Sequence, residues 1–249
     1  MKVYVATHKA ADAPLPPNYQ YIQVNAANNQ IFSSLHDALG AKNISAKNPY
    51  YCELTAAYWV WKNDHENEVV GLAHYRRFLT VNKFSSSPRA YLNSPRAEKL
   101  LEHYDFLATK LYHTNATQKE HLLTYVHEKD FDLLRETIQT MYPSYLSAFD
   151  EVFSGHESYL LNMFICKKQT WDAYYEWLFS VLEAMEPKVD MTGYSVQEQR
   201  LYGFLAERLF TVYVRYNHCR VKSFPTFLLG KSKWVIFMEK VQKMLGMRD

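Results

Sequence analysis

Short runs of β-branched and aromatic residues alternate along the chain with longer stretches whose apolar positions recur at helical spacing. The short runs predict strands at 3–7, 21–25, 68–74, 104–108 and 161–167. Between the second and third of these, Asn48-Pro49 reads as a helix start, with Asn capping free amides and Pro at the first helical position. Tyr51, Leu54, Tyr58 and Trp61 then give that helix one buried face. Further helices are predicted at 95–103, 130–141, 170–185 and 195–213. Strands alternating with helices predict an α/β layer architecture, a central mostly parallel sheet flanked by helices. Segment 83–90, with three serines and a proline, reads as a mobile loop placed where a lid could sit.

Two segments depart from simple core patterning. Gly71-Leu72-Ala73-His74-Tyr75-Arg76-Arg77 carries a buried-type strand directly into an imidazole and two cations. In open α/β sheets ligands sit at the carboxyl ends of strands, and paired guanidiniums there suit the oxygens of a diphosphate. A solvated ion-pair patch would account for the same residues. The helix at 195–213 is apolar around most of its circumference through Val196, Leu201, Phe204, Leu205, Leu209 and Val212. Arg200, Gly203 and Glu207 remain as a narrow polar stripe facing a partner charge or a cleft. Gly203 costs about 1 kcal/mol there relative to Ala, so something is expected to pack close against it. Ser195 and Glu198 have the spacing of a capping box, which offers Glu198 a structural role. Glu207 is expected to neutralise an arginine such as Arg77 or to orient a substrate.

Composition narrows the function classes. The 249 residues suit one domain, taken as 1–230, with a small appendage at 231–249. With 28 Lys+Arg against 26 Asp+Glu the net charge is +2, too small a field for general nucleic-acid binding. Three widely separated cysteines, Cys52, Cys166 and Cys219, show no zinc or disulfide spacing and fit a reducing cytoplasm. The amino-terminal apolar run is too short for a signal peptide, and no stretch approaches the roughly 18 apolar residues of a membrane span. Aromatics reach 16% with 20 Tyr, a composition shared by clefts for sugars and nucleobases and by Tyr-rich cores.

Taken together, the ordered motifs carry a resemblance over nearly the whole chain. Val5-Ala6-Thr7-His8-Lys9, Asn43-Ile44-Ser45-Ala46-Lys47-Asn48, Glu53-Leu54-Thr55-Ala56-Ala57-Tyr58-Trp59-Val60-Trp61-Lys62-Asn63 and the segment ending at Arg77 lead the series. Asn162-Met163-Phe164-Ile165, Trp177-Leu178-Phe179 and Arg200-Leu201-Tyr202-Gly203-Phe204-Leu205-Ala206-Glu207-Arg208-Leu209 complete it. The set resembles a bacterial family of capsular and exopolysaccharide biosynthesis proteins long catalogued as a domain of unknown function. The resemblance implies a GT-A-like, nucleotide-sugar-binding fold and transfer of a hexose, galactose or galactofuranose, to a capsular, exopolysaccharide or O-antigen glycan. The donor implied is a nucleoside diphosphate sugar, UDP-linked, and the acceptor a glycan or lipid-linked oligosaccharide.

Such a transfer needs a nucleotide seat, neutralisation of the departing diphosphate and, if configuration inverts, a carboxylate base. Thr7, His8 and Lys9 close the first strand, where a GT-A-like fold holds its nucleotide. Asn43, Ser45 and Lys47 lead into a helix amino terminus, which favours an anion. His74, Tyr75, Arg76, Arg77, Arg200 and Arg208 complete the candidate donor-binding set. Glu198 is the first choice for the base, with Glu207 and Asp190 as competitors; a paired Glu207 would be held too firmly. Glu53 lies in the first turn of its helix, where a favourable dipole interaction and a functional role account for it about equally. Many GT-A enzymes place Asp-x-Asp at a strand end to hold a metal, where this chain has His74-Tyr75-Arg76-Arg77. Asp130-Phe131-Asp132 opens a helix and suits the dipole, and His113, His121 and His127 match no familiar metal spacing. No cofactor is strictly required on this reading, and metal dependence stays open. The tail from Lys231 interleaves apolar and basic residues as membrane-surface helices do, or as a terminal helix packed on the domain would. The expected location is cytoplasmic, with peripheral attachment to the inner face of the membrane as one option. A non-catalytic sugar-nucleotide or glycan-binding component of a polysaccharide assembly complex is the alternative function.

Overall fold

The computed structural model describes residues 1–11, 13–82 and 90–229. The basic tail 231–249 and all of the expected lid but Ala90 lie outside the described residues. The strands are β1 (Lys2–Thr7), β2 (Tyr19–Gln23), β3 (Val69–His74), β4 (Arg77–Leu79), β5 (Phe106–Thr109), β6 (Leu111–His113), β7 (Glu157–Tyr159), β8 (Phe164–Lys167), β9 (Val221–Phe224) and β10 (Thr226–Leu228). The helices are α1 (Asn48–Tyr51), α2 (Leu54–Asn63), α3 (Ser94–Leu100), α4 (Gln118–Leu122), α5 (Glu128–Met141), α6 (Leu146–Ser154), α7 (Lys168–Met185) and α8 (Leu201–Tyr216).

An eight-stranded sheet forms the centre, running β2-β1-β3-β8-β5-β9, with β4 and β10 added beyond the carboxyl end of β3. Only β8 and β4 run against the other strands of this sheet. The fold is therefore α/β with a mostly parallel sheet. Strand alternation explains its burial on both faces. Tyr4 and Ala6 of β1, Val70 and Leu72 of β3 and Phe164 and Cys166 of β8 point into a large core shared with α2, α5, α6, α7 and α8. Their neighbours Val3, Val5, Val69, Ala73 and Ile165 enter a smaller core under α3, β4 and β10. At the β3–β8 register pair Gly71↔Ile165, a Cβ on Gly71 would lie 2.6 Å from Ile165 and 2.9 Å from the Phe164 carbonyl, so only glycine fits.

Several local expectations are corrected. Asn48 does not cap: Lys47 precedes the helix, and the Asn48 amide reaches forward to the Cys52 carbonyl (2.6 Å) and the Thr55 hydroxyl (2.9 Å). The expected single helix breaks between these partners, because Cys52 has φ 52°. The strand expected from 161 begins only at Phe164, since Leu161 and Asn162 turn at φ 82° and 50°. Ser195 and Glu198 do exchange capping-box bonds (2.8 and 3.3 Å), but a short 3-10 turn at Glu198–Arg200 separates them from α8.

Candidate active site

The chain leaves β1 for β2 on one side and then, through α1 and α2, reaches β3 on the other. This reversal opens a crevice at the carboxyl ends of parallel strands, the place where α/β sheets receive ligands. A cleft of about 600 Å³ lies there, within the ordinary range for small-molecule sites. Ala6, His8 and Val24 line it from the ends of β1 and β2, and His74, Tyr75, Arg76 and Arg77 from β3 and its turn. Asn48, Pro49, Cys52 and Glu53 enter from the α1–α2 bend, Leu161 from the loop before β8, and Val196, Gln199, Arg200 and Glu207 from the approach to α8 and α8 itself.

One wall is cationic. Tyr75 and Arg76 form the two-residue turn of the β3–β4 hairpin, closed by the pair His74↔Arg77. Arginine ion pairs among the described residues are made by Arg135, Arg208, Arg215 and Arg220, which leaves Arg76, Arg77 and Arg200 without acidic partners. The Tyr75 ring has Lys9 Nζ at 5.4 Å and Arg76 Cζ at 5.0 Å from its centre, with the His8 ring edge-on at 5.2 Å. Partial burial, then Lys9 and Arg76, hold the His8 imidazole below its usual pKa, so it is neutral at neutral pH.

The opposite wall is acidic and strained. Leu161 donates its amide to Glu207 Oε1 (2.9 Å), while its carbonyl accepts from His74 Nε2 (2.8 Å). The Asn162 amide donates to Glu53 Oε1 (2.8 Å) and to the Gly203 carbonyl (3.2 Å). Left-handed backbone at a leucine costs about 1–3 kcal/mol and persists only when surrounding contacts enforce it, as these bonds do here. Gly203 packs as expected: a Cβ there would lie 3.2 Å from Cys52 Sγ and 3.3 Å from its Cβ. Burial raises the pKa of Glu207 above the usual carboxylate range although Arg208 pulls the other way, and burial likewise lowers that of Arg208. The desolvation of this pair outweighs its attraction.

The arginine beside Glu207 is thus its neighbour Arg208 (2.8 Å), not Arg77. The structure brings His8, His74, Tyr75, Arg76, Arg77, Arg200 and Glu207 to the cleft and leaves other expected residues off its lining. The Thr7 hydroxyl turns back to the Lys9 carbonyl, and Ser45 is buried against Asp37. Asn43 bonds the Gly40 carbonyl (2.7 Å), and Lys47 is taken by Glu186 (2.7 Å). Arg208 is buried. Glu198 is held by Ser195 and by His127 at 3.1 Å, and the Ser195 bonds, ahead of His127, lower its pKa. Asp190 is exposed and accepts from the Thr192 amide. Asp130 is buried under the Tyr194 hydroxyl (2.6 Å). Glu53 and Asn162 are the cleft-side residues that pattern reading passed over. An Asn just ahead of an apolar strand, tolerant of left-handed backbone, was the available signal.

Residues 2–218 match the family described as Domain of unknown function (DUF4422). The chain belongs to this family. The DUF4422 fold seen here is similar to the apo structure of WbbM, a bifunctional glycosyltransferase, with a TM-score of 0.85 and 29% identity. That similarity covers 92% of this chain but 45% of WbbM, so the chain spans less than half of that protein. No curated protein matches the sequence.

Proposed function

We propose that this protein is a glycosyltransferase that moves a hexose, galactose or galactofuranose, from a UDP-linked donor to a capsular, exopolysaccharide or O-antigen glycan. The observation that carries the reading is the cleft at the switch point, with Arg76 and Arg77, unpaired among the described residues, on one wall and Glu53 and Glu207 on the other. The donor diphosphate lies against Arg76 and Arg77, with Arg200 across the cleft, and Tyr75 beside His8 offers a face to the nucleoside. Likeness to WbbM supports the reaction class.

In this reading guanidiniums take the place of a metal. Among the described residues no three His, Cys, Asp or Glu side chains gather at metal-ligand spacing. Three guanidiniums without acidic partners among the described residues favour a polyanion and repel a bare cation. The basic sequence at 231–249 would suit attachment near a lipid-linked acceptor.

Thermal unfolding with and without UDP in an EDTA buffer tests the seat. UDP at 100 times its dissociation constant is expected to stabilise the wild type by about 2.7 kcal/mol. Arg76→Ala and Arg77→Ala should each weaken UDP several fold. Equal UDP affinity in both variants, or a shift that requires added manganese, contradicts the proposal.

A further inference from the structure

Two carboxylates line the cleft, Glu53 and Glu207, and their surroundings differ. Both oxygens of Glu207 are engaged, one by the Leu161 amide and the other by Arg208. Turning it toward a substrate would strand a buried guanidinium. Glu53 stands at the N-cap of α2 yet makes no capping hydrogen bond. Its place follows from the bend at Cys52, which separates α1 from α2 and leaves Glu53 beside the cleft. The Asn162 amide fixes Oε1 at 2.8 Å, and among the described residues nothing in the protein occupies Oε2. Asn162 is itself locked by the Gly203 carbonyl and by the turn it shares with Leu161. One oxygen of Glu53 is thus anchored and the other is open in a cleft whose far wall carries Arg76 and Arg77, with Arg200 on its own side beside Cys52.

Resting on the glycosyltransferase reading, we infer that Glu53 is the catalytic base that meets the acceptor hydroxyl, with Asn162 as its positioning residue. The acceptor oxygen forms a bond to the anomeric carbon as the bond from that carbon to the diphosphate oxygen breaks. The electron pair leaves with UDP, held by the arginines, and the hydroxyl proton passes to Glu53 Oε2 and then to water. Attack opposite the leaving diphosphate inverts the anomeric carbon.

The test uses the full chain with UDP-galactose, UDP-glucose and UDP-galactofuranose as donors and octyl galactoside as acceptor. Glu53→Gln keeps an oxygen for Asn162 and is expected to preserve the UDP thermal shift while kcat falls by about 100-fold or more, the usual contribution of a general base. Glu53→Asp, which keeps a carboxylate but withdraws it by one methylene, should retain more turnover than the Gln variant. The inference is overturned by near wild-type turnover of Gln, by equal activities of Asp and Gln, by loss of the UDP shift in Gln, or by a product of retained anomeric configuration. A wild type that turns over none of the donors would instead overturn the glycosyltransferase reading itself.

Discussion

Arg208 joins the cleft to a group well outside it. Its guanidinium is buried, gives Nη1 to Glu207 and the Phe204 carbonyl, and sets Nη2 2.9 Å from His121 Nδ1. Since a guanidinium only donates, Nδ1 must accept, and the imidazole must be neutral with its proton on Nε2. Partial burial, then Arg208, lower the His121 pKa. Tyr125 and Tyr112 rings pack against the imidazole, and no carboxylate pairs with it among the described residues. The folded state therefore binds this proton more weakly than the unfolded chain, whose histidine titrates near pH 6.5. His121 contributes its stability fully above that pH, and the contribution is lost as pH falls through the lowered folded value. Denaturant midpoints at pH 7.5 and 5.5 should fall on acidification in the wild type and fall less in His121→Gln, whose amide oxygen can accept from Arg208 at either pH. Equal acid sensitivity of the two proteins would remove His121 from this account. The sequence displayed Glu207 on a polar stripe, but choosing its partner required knowing which cation the helix buries beside it.

Helix α8 and the α1–α2 bend meet where Gly203 faces Cys52. Alanine at 203 would gain about 1 kcal/mol of helix propensity, but its methyl would meet a cysteine held at φ 52° with its Sγ against Arg200 Nε (3.3 Å). Overpacking of this kind costs about 1–3 kcal/mol, so Gly203→Ala is expected to lose about 1 kcal/mol net by denaturant titration. In a Cys52→Gly background, where the facing atoms are gone and positive φ is unstrained, the same change should stabilise. Destabilisation of equal size in both backgrounds would contradict the contact. At this scale the polar stripe and the close approach at Gly203 were legible from helical spacing. The bend was not, because Asn48-Pro49 followed by an apolar period announces one continuous helix. Helix α4 went unread, although Thr117 and Glu120 form a capping box at its start. The short strands β9 and β10 carry too few residues for a period to declare itself.

Across the whole molecule the strand order decides where chemistry can occur. The five expected strands form one unbroken run of the sheet from its β2 edge to β5, with apolar residues in both cores, so their sequence pattern sufficed for the α/β architecture. Which strand ends lie side by side depends on pairings between segments distant in sequence, and periodicity does not contain them. That is why the cationic turn after β3 was legible as a site while Glu53, divided evenly between a helix dipole and a function, was not assigned to it. Reversal at β1 sets that turn opposite the α1–α2 bend and α8, and shared fold with part of WbbM extends to 92% of this chain. The most direct test of the central proposal is mass-spectrometric detection of hexosylated octyl galactoside, with UDP release measured alongside, for the wild type and Arg76→Ala/Arg77→Ala on the UDP-sugar panel. The account predicts acceptor-dependent product and stoichiometric UDP from the wild type and a loss of at least about 10-fold in the double variant, the effect of a lost charge contact of about 1.4 kcal/mol. Binding of UDP-sugars by the wild type with no transfer to acceptor or water, the behaviour of a sugar-nucleotide-binding component, would contradict it.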